Sequence, residues 1–128
     1  MTIAKLALTV VILAAPGVAN ADMHEFFGCK FTDGHGMADL DKWLPKWKAV
    51  IDGMKFKDQF SVWVLTPQYD TANTQDFFFM GSMTDANALG SGLSEYFEAG
   101  KGNAVEADLS KFAKCTGSLW WGRKVYGK

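Results

Sequence analysis

Two cysteines and two histidines are the residues of this 128-residue chain with the most specific chemistry: Cys29, Cys115, His24 and His35. Two of each is the ligand set of a zinc site, or of a thiol nucleophile with its base. It is equally the content of a small protein with one disulfide and two surface histidines. Structural zinc ligands usually come in short C-x₂₋₄-C or H-x₃₋₅-H pairs, whereas the two histidines are eleven residues apart. The spacing therefore disfavours a metal site.

Motifs of other catalytic sites are absent from the sequence. There is no Gly-rich phosphate loop, no G-x-S-x-G elbow and no H-E-x-x-H pair. His24 is expected at the start of a strand and His35 in a turn, both on the surface. Their functional interpretation is proton transfer at the mouth of a pocket, but the pattern offers no positioned carboxylate to pair with them. We therefore predict no catalytic residue, no cofactor and no metal.

Residues 1–21 have the three parts of a signal peptide. Lys5 provides the positive charge, LALTVVILAA is the apolar region, and Ala19-Asn20-Ala21 is an A-x-A cleavage site. The apolar run is shorter than the roughly 20 residues that span a bilayer. We expect cleavage before Asp22, and export to a periplasm or the cell exterior without a membrane anchor.

Residues 22–128 are then expected to form a single domain. After removal of residues 1–21, twelve basic and fourteen acidic side chains remain, and no run of like charges occurs. This composition gives no indication of a nucleic-acid partner. All five tryptophans and all ten phenylalanines lie in this part, so we expect its stability to come from buried aromatic surface.

The apolar patterns predict four strands and at least two helical segments. The strands are expected at 24–31, 60–66, 76–83 and 117–126, where β-branched and aromatic residues cluster. A helix is predicted from Met37 to Met54, with either a kink or a helix break at Pro45. A second helix should begin at Thr84-Asp85, and a short third helix at Asn103, with Glu106 completing a capping box.

The order strand, helix, two strands, helices, strand is typical of the ferredoxin-like βαββαβ fold. This α+β fold has a four-stranded antiparallel sheet with its helices on one face. The strand DFFFMGSM is apolar on both sides, because Phe77 and Phe79 alternate with Phe78 and Met80. The helices cover only one face, so we expect a second copy of the chain to cover the other.

The chain resembles the dimeric α/β-barrel proteins, in which two ferredoxin-like units pack sheet to sheet. It also resembles a group of small exported bacterial proteins of unknown function, which share a strand ending in CK, a Gly-containing turn, an M-x-D-L/V helix with a tryptophan, and a second cysteine before the last strand. The matching residues here are Cys29-Lys30, Asp33-Gly34, Met37-Ala38-Asp39-Leu40, Trp47 and Cys115. The resemblance implies a fold and no particular chemistry.

The two cysteines are expected to form a disulfide. Exported chains fold where disulfides persist, and neither cysteine has another partner. In a ferredoxin-like sheet the first and last strands are antiparallel neighbours. Cys29 lies near the end of the first strand and Cys115 just before the last, so both reach the same end of the sheet. The bridge would close a loop of 87 residues, which the chain-entropy model values at ~4–5 kcal/mol.

Three functions are compatible with these features. The first is an exported, non-enzymatic homodimer that binds a small apolar or aromatic ligand. The pocket residues predicted for it are Trp63, Tyr69, Met80, Tyr96, Trp120 and Arg123. The second is a cofactor-independent oxygenase or haem-degrading enzyme of the kind found among the similar dimeric barrels, with His24, Trp63 and Arg123 as candidates by analogy alone. The third is a structural module whose apolar sheet face docks on another exported protein.

Overall fold

The computed structural model describes residues 23–69 and 74–121, with only the backbone of Trp121. Its elements are β1 (Met23–Phe31), α1 (Met37–Asp52), β2 (Phe60–Leu65), β3 (Phe77–Met83), α2 (Ala86–Leu93), α3 (Asn103–Leu109) and β4 (Ala113–Trp121). A 3₁₀ turn, Lys57–Gln59, precedes β2, and a π-helical turn, Ser94–Glu98, continues α2. Within the described part, no helix is long and apolar enough to cross a membrane.

The four strands form one antiparallel sheet in the order β2-β3-β1-β4. The helices pack on one face of this sheet, which is the ferredoxin-like arrangement. The predicted fold class is therefore confirmed. β1 lies in the centre and pairs along its length with β3 on one side and β4 on the other.

The last strand begins earlier than predicted. It was expected at 117–126 but runs from Ala113, so Cys115 lies inside β4 rather than before it. The reason is long-range pairing: the ladder with β1 continues to the pair Phe31 and Ala113, beyond the aromatic segment that marks the strand in the sequence. Residues 122–126 of the prediction lie outside the described residues.

Pro45 does not break the first helix. α1 is continuous from Met37 to Asp52, with Pro45 exposed on its solvent side. A proline inside a helix removes a single backbone donor and crowds the preceding turn. Burial of Leu40 and Trp43 on the opposite side of the helix favours keeping the helix whole.

Two predicted helix caps differ from the observed ones. Asp85, not Thr84, caps α2, because its carboxylate accepts hydrogen bonds from the backbone N–H groups of Asn87 and Ala88 at 2.9 and 2.8 Å. α3 begins at Asn103 as predicted, but Gly102 is its N-cap residue and no side chain caps it. The predicted capping box was wrong, since the Glu106 carboxylate is used elsewhere, as described below.

The sheet has one covered face and one open face. Phe77, Phe79 and Met83 of β3 point to the helices and belong to the core. The open face is defined here by the alternate residues Phe26, Trp63, Leu65, Phe78, Met80 and Trp120. Strand register aligns Trp63, Met80 and Phe26 in one row across β2, β3 and β1. Trp63 is 46 % exposed and Trp120 58 % exposed, so this apolar face has no cover within the described chain.

Candidate functional site

The disulfide expected from the sequence is present. Cys29 and Cys115 lie directly opposite each other in the β1–β4 ladder and are bonded through their sulfurs. Neither thiol is free to act as a nucleophile or a metal ligand. Within residues 23–69 and 74–121, no group of three or more His, Cys, Asp or Glu side chains is placed to hold a metal ion.

An apolar cavity of about 130 Å³ lies between the covered face of the sheet and the helices. We call it the aromatic cavity. Its lining includes eight aromatic side chains: Phe27, Trp43, Trp47, Phe56, Phe60, Phe79, Tyr96 and Phe97. Phe97, in the π-helical turn, is 50 % exposed, so the cavity meets the protein surface at this end of α2.

Two tryptophans of α1 line the side of the aromatic cavity opposite the sheet. The rings of Trp43 and Trp47 stack with centroids 6.0 Å apart, and both rings approach Phe79 of β3. The Trp43 indole N–H donates to the backbone carbonyl of Val105 at 2.8 Å. This hydrogen bond satisfies a buried donor and connects α1 to α3. The Trp43 ring is therefore fixed by its packing on Phe79 and by its hydrogen bond to α3.

The π-helical turn brings Tyr96 and Phe97 to the cavity together. Its wider hydrogen bond runs from the N–H of Ala99 to the carbonyl of Ser94 at 2.9 Å. Such turns are rare and often occur at functional sites. Tyr96 packs against Gly102, where an added Cβ would lie only 2.3 Å from the tyrosine ring. Glycine is therefore required at position 102 for the ring to enter the cavity wall.

Two carboxyl groups line the cavity among these rings. Glu106 accepts a hydrogen bond from the Tyr96 hydroxyl at 2.6 Å. Burial, with a smaller contribution from this carboxylate, raises the pKa of Tyr96 above its ordinary value. Tyr96 therefore remains a neutral hydrogen-bond donor throughout the physiological pH range.

Glu25 is the second carboxyl group. It extends from β1 on the covered side of the sheet, over Gly81 of β3, its cross-strand partner. A Cβ at position 81 would lie 3.6 Å from Glu25 Oε2 and 3.1 Å from the Phe60 ring. Gly81 thus leaves room for the carboxyl group and the ring. Partial burial raises the pKa of Glu25, and within the described chain the carboxyl group has no hydrogen bond or ion pair.

The predicted pocket residues are divided between the two sides of the sheet. Tyr96 lines the aromatic cavity. Trp63, Met80 and Trp120 lie on the open face, and Tyr69, after β2, is 99 % exposed. Arg123 lies outside the described residues. The five described residues of this set therefore do not all line one pocket, because alternate residues of a strand point to opposite faces of the sheet. The ligand-binding role of all six stays a prediction.

The two histidines lie apart from the cavity. His24 occupies the open-face side of β1 between its cross-strand neighbours Ser82 and Trp120. It is half-buried rather than on the surface, and its Nδ1 atom is shielded and has no hydrogen-bond partner within the described chain. His35 is exposed as expected and contacts the Asp39 carboxylate at 3.2 Å. The structure does not bring the two rings together.

Sequence reasoning missed Glu25 and Glu106 as site residues. One signal was available for Glu25: it alternates with Phe27 and Cys29, so it is an acidic residue on the inward side of an apolar strand. Glu106 was interpreted as a helix-capping residue. Only the packing of α3 against the π-helical turn shows that its partner is Tyr96.

Neither a protein-family model nor a curated protein sequence matches the chain. Solved structures do. SnoaB, a cofactor-independent oxygenase from Streptomyces nogalater, is similar with a TM-score of 0.58 and 10 % identity over 84 % of this chain and 99 % of that one. A dimeric ferredoxin-like protein of unknown function from Thermobifida fusca has a TM-score of 0.57 and 7 % sequence identity, over 80 % of this chain and 92 % of that one. A DABB family protein with a ferredoxin-like fold from Mesorhizobium loti has a TM-score of 0.55 and 11 % sequence identity, over 78 % of this chain and 95 % of that one.

Identities this low show a common fold and not a common activity. The neighbours include proteins described as ferredoxin-like, which agrees with the strand order of this chain, and some of them are described as dimeric. The chain thus has a ferredoxin-like α+β fold.

Proposed function

We propose that the protein is an exported homodimer that binds a small apolar or aromatic ligand in the aromatic cavity. The observation that carries this proposal is the cavity itself, which is apolar, partly open and equipped with a few polar groups, as ligand sites generally are. Its volume of about 130 Å³ is close to that of an engineered cavity of roughly 150 Å³ that binds benzene. A ligand of about one aromatic ring fits this space.

Ligand binding is tested with single-ring and two-ring aromatic compounds, by tryptophan emission and thermal unfolding. Trp43 and Trp47 line the cavity, so occupancy should change their emission. A ligand at a hundred times its Kd stabilises the folded state by ~2.7 kcal/mol, which corresponds to a rise in melting temperature on the order of 10 °C for a domain of this size.

Val62 provides a blocking variant and Trp63 a matched control. Val62 lines the cavity, while Trp63, the next residue of β2, faces the other side of the sheet. We expect Val62→Phe to fill the cavity and abolish binding, and Trp63→Phe to leave it unchanged. Equal ligand binding by both variants would place the site elsewhere, and a complete absence of binding would refute the proposed function.

Homodimer formation is supported by the open face and by the dimeric structural neighbours. Apolar patches of this kind on a folded protein mark interaction surfaces. Sedimentation analysis should find a dimer, and Trp63→Glu should shift it toward monomer. Tyr69→Glu is the control, because Tyr69 is fully exposed beyond β2. A monomer whose open face associates with other proteins would support the docking-module alternative instead.

Export is supported by residues 1–21 and by the disulfide, which persists in oxidising compartments. N-terminal sequencing of the protein recovered from the periplasm or medium should begin at Asp22. A cytoplasmic protein that begins at Met1 would contradict export.

The enzyme alternative has one supporting observation, which is Glu25. A carboxyl group with a raised pKa beside an aromatic cavity is a candidate general base. The fold likeness to a cofactor-independent oxygenase makes oxygenation of an electron-rich aromatic compound the reaction to assay. Of the residues first considered for catalysis, His24 and Trp63 do not line the cavity. Turnover by the wild type that is lost in Glu25→Gln would favour the enzyme over the binding protein.

A further inference from the structure

The charged residues known to line the aromatic cavity are acidic. Among the described residues that line it, Glu25 and Glu106 are acidic, and none is Lys, Arg or His. The rest of the lining is aromatic, aliphatic, glycine or the disulfide sulfur of Cys115. The described part of the cavity therefore offers negative charge and the negative faces of aromatic rings, and none of its described residues is a cation.

The two acidic groups differ in their partners. Glu106 receives the Tyr96 hydroxyl hydrogen bond, which satisfies part of its acceptor capacity. Glu25 has no partner within the described chain, although it is half-buried against Phe60 and Gly81. An ionised carboxylate removed from water is costly unless a cation or hydrogen-bond donors compensate. None of the described residues supplies this compensation to Glu25.

Aromatic rings that line the same cavity as Glu25 supply the complementary feature. Phe60, Trp47 and Tyr96 line the same cavity, and the face of an aromatic ring attracts a cation within about 6 Å of its centroid. Aromatic cages of this kind bind quaternary ammonium groups. An anionic ligand would instead meet two carboxylates and no counter-charge.

We propose that the ligand of the aromatic cavity is a small organic cation: an amine or ammonium compound with an apolar body of about one ring, whose charge is paired with Glu25. This inference rests on the proposed function, because it needs the cavity to bind a ligand. It goes further by naming the sign of the charge and the residue that recognises it. Neutral molecules of the same shape gain the apolar contacts but not the ion pair.

The test compares three ligands of nearly equal shape at neutral pH by calorimetry on the full mature chain. Benzylamine is cationic, benzyl alcohol is neutral and benzoate is anionic. We expect benzylamine to bind about five- to thirtyfold more tightly than benzyl alcohol, since cation–π and ion-pair contacts of about 1–2 kcal/mol correspond to that range. Benzoate should bind more weakly than either.

Two variants assign the effect to Glu25. Glu25→Gln should bring benzylamine to the affinity of benzyl alcohol and leave benzyl alcohol unchanged. Asp58→Asn is the control, because Asp58 is exposed in the 3₁₀ turn, does not line the cavity and changes the net charge equally. The comparison of the three ligands on the wild type needs no variant, so the test holds even if Glu25→Gln folds poorly.

The possible outcomes separate this inference from the proposed function. Equal affinities for benzylamine and benzyl alcohol on the wild type would overturn the cation preference and leave a ligand-binding cavity. A preference for benzylamine that persists in Glu25→Gln would overturn the role of Glu25. Failure of all three ligands to bind, where larger aromatic compounds also fail, would refute the binding function itself.

Discussion

Removal of the Cys29–Cys115 disulfide should lower the free energy of unfolding by several kcal/mol. The cysteines are 86 positions apart, so the bridge closes a loop of 87 residues, most of the folded domain. For that loop length the chain-entropy model gives about 4.6 kcal/mol at room temperature. Measured losses are commonly 2–5 kcal/mol, because the native state and the unfolded chain both adjust. We therefore expect a loss in that range with the model value near its upper end.

Urea unfolding of the oxidised wild type and of Cys29→Ala/Cys115→Ala measures this loss. Linear extrapolation gives each free energy, and the slope should be larger for the double variant, because its unfolded chain exposes more surface. Dithiothreitol should destabilise the wild type to a similar degree and leave the double variant unaffected, which controls for the lost sulfur contacts. A difference below about 1 kcal/mol would refute the reasoning, since the loop-closure contribution in the chain-entropy model is several times larger.

Three further predictions concern the residues that form or support the cavity, and urea unfolding tests each of them. Tyr96→Phe should lower the free energy of unfolding by roughly 1.5–3 kcal/mol, because it removes a hydrogen bond to the Glu106 carboxylate. An unchanged urea midpoint would show that this hydrogen bond does not contribute to stability. Gly102→Ala should destabilise the protein, because the added Cβ clashes with the Tyr96 ring. Gly90→Ala is the control: a Cβ there meets nothing within 4 Å, so this change should stabilise the helix by up to ~1 kcal/mol. Equal effects of the two substitutions would contradict the close packing of Tyr96 on Gly102. Glu25 has a raised pKa, so its stabilising contribution is complete below its unfolded-state pKa and declines as pH rises through its folded-state pKa. Glu25→Gln should therefore gain stability relative to the wild type with increasing pH, and a pH-independent difference would contradict the burial of the carboxyl group.

Local patterns in the sequence were sufficient for the element order and the fold class. β1 to β3 and the start of α3 were predicted within one residue of their observed bounds. Apolar residues repeat every two positions in a strand and every three to four in a helix, so this pattern can be read from residues that are close in the sequence. The cysteine pairing followed from an even count and the strand order. The prediction was wrong where pairing with a distant segment sets the bounds of an element. β4 starts at Ala113 because its pairing with β1 continues to that residue.

The amino-acid sequence by itself determined which residues are apolar on both sides of each strand, and hence that the sheet has an open aromatic face and a covered one. It could not determine which aromatic residues share a cavity. Tyr96 reaches the cavity through a π-helical turn and the space left at Gly102, and Glu25 through the space left at Gly81. These positions depend on contacts between residues 6 to 56 positions apart in the chain. Only the tertiary structure therefore decided that two carboxyl groups and eight aromatic rings surround one space.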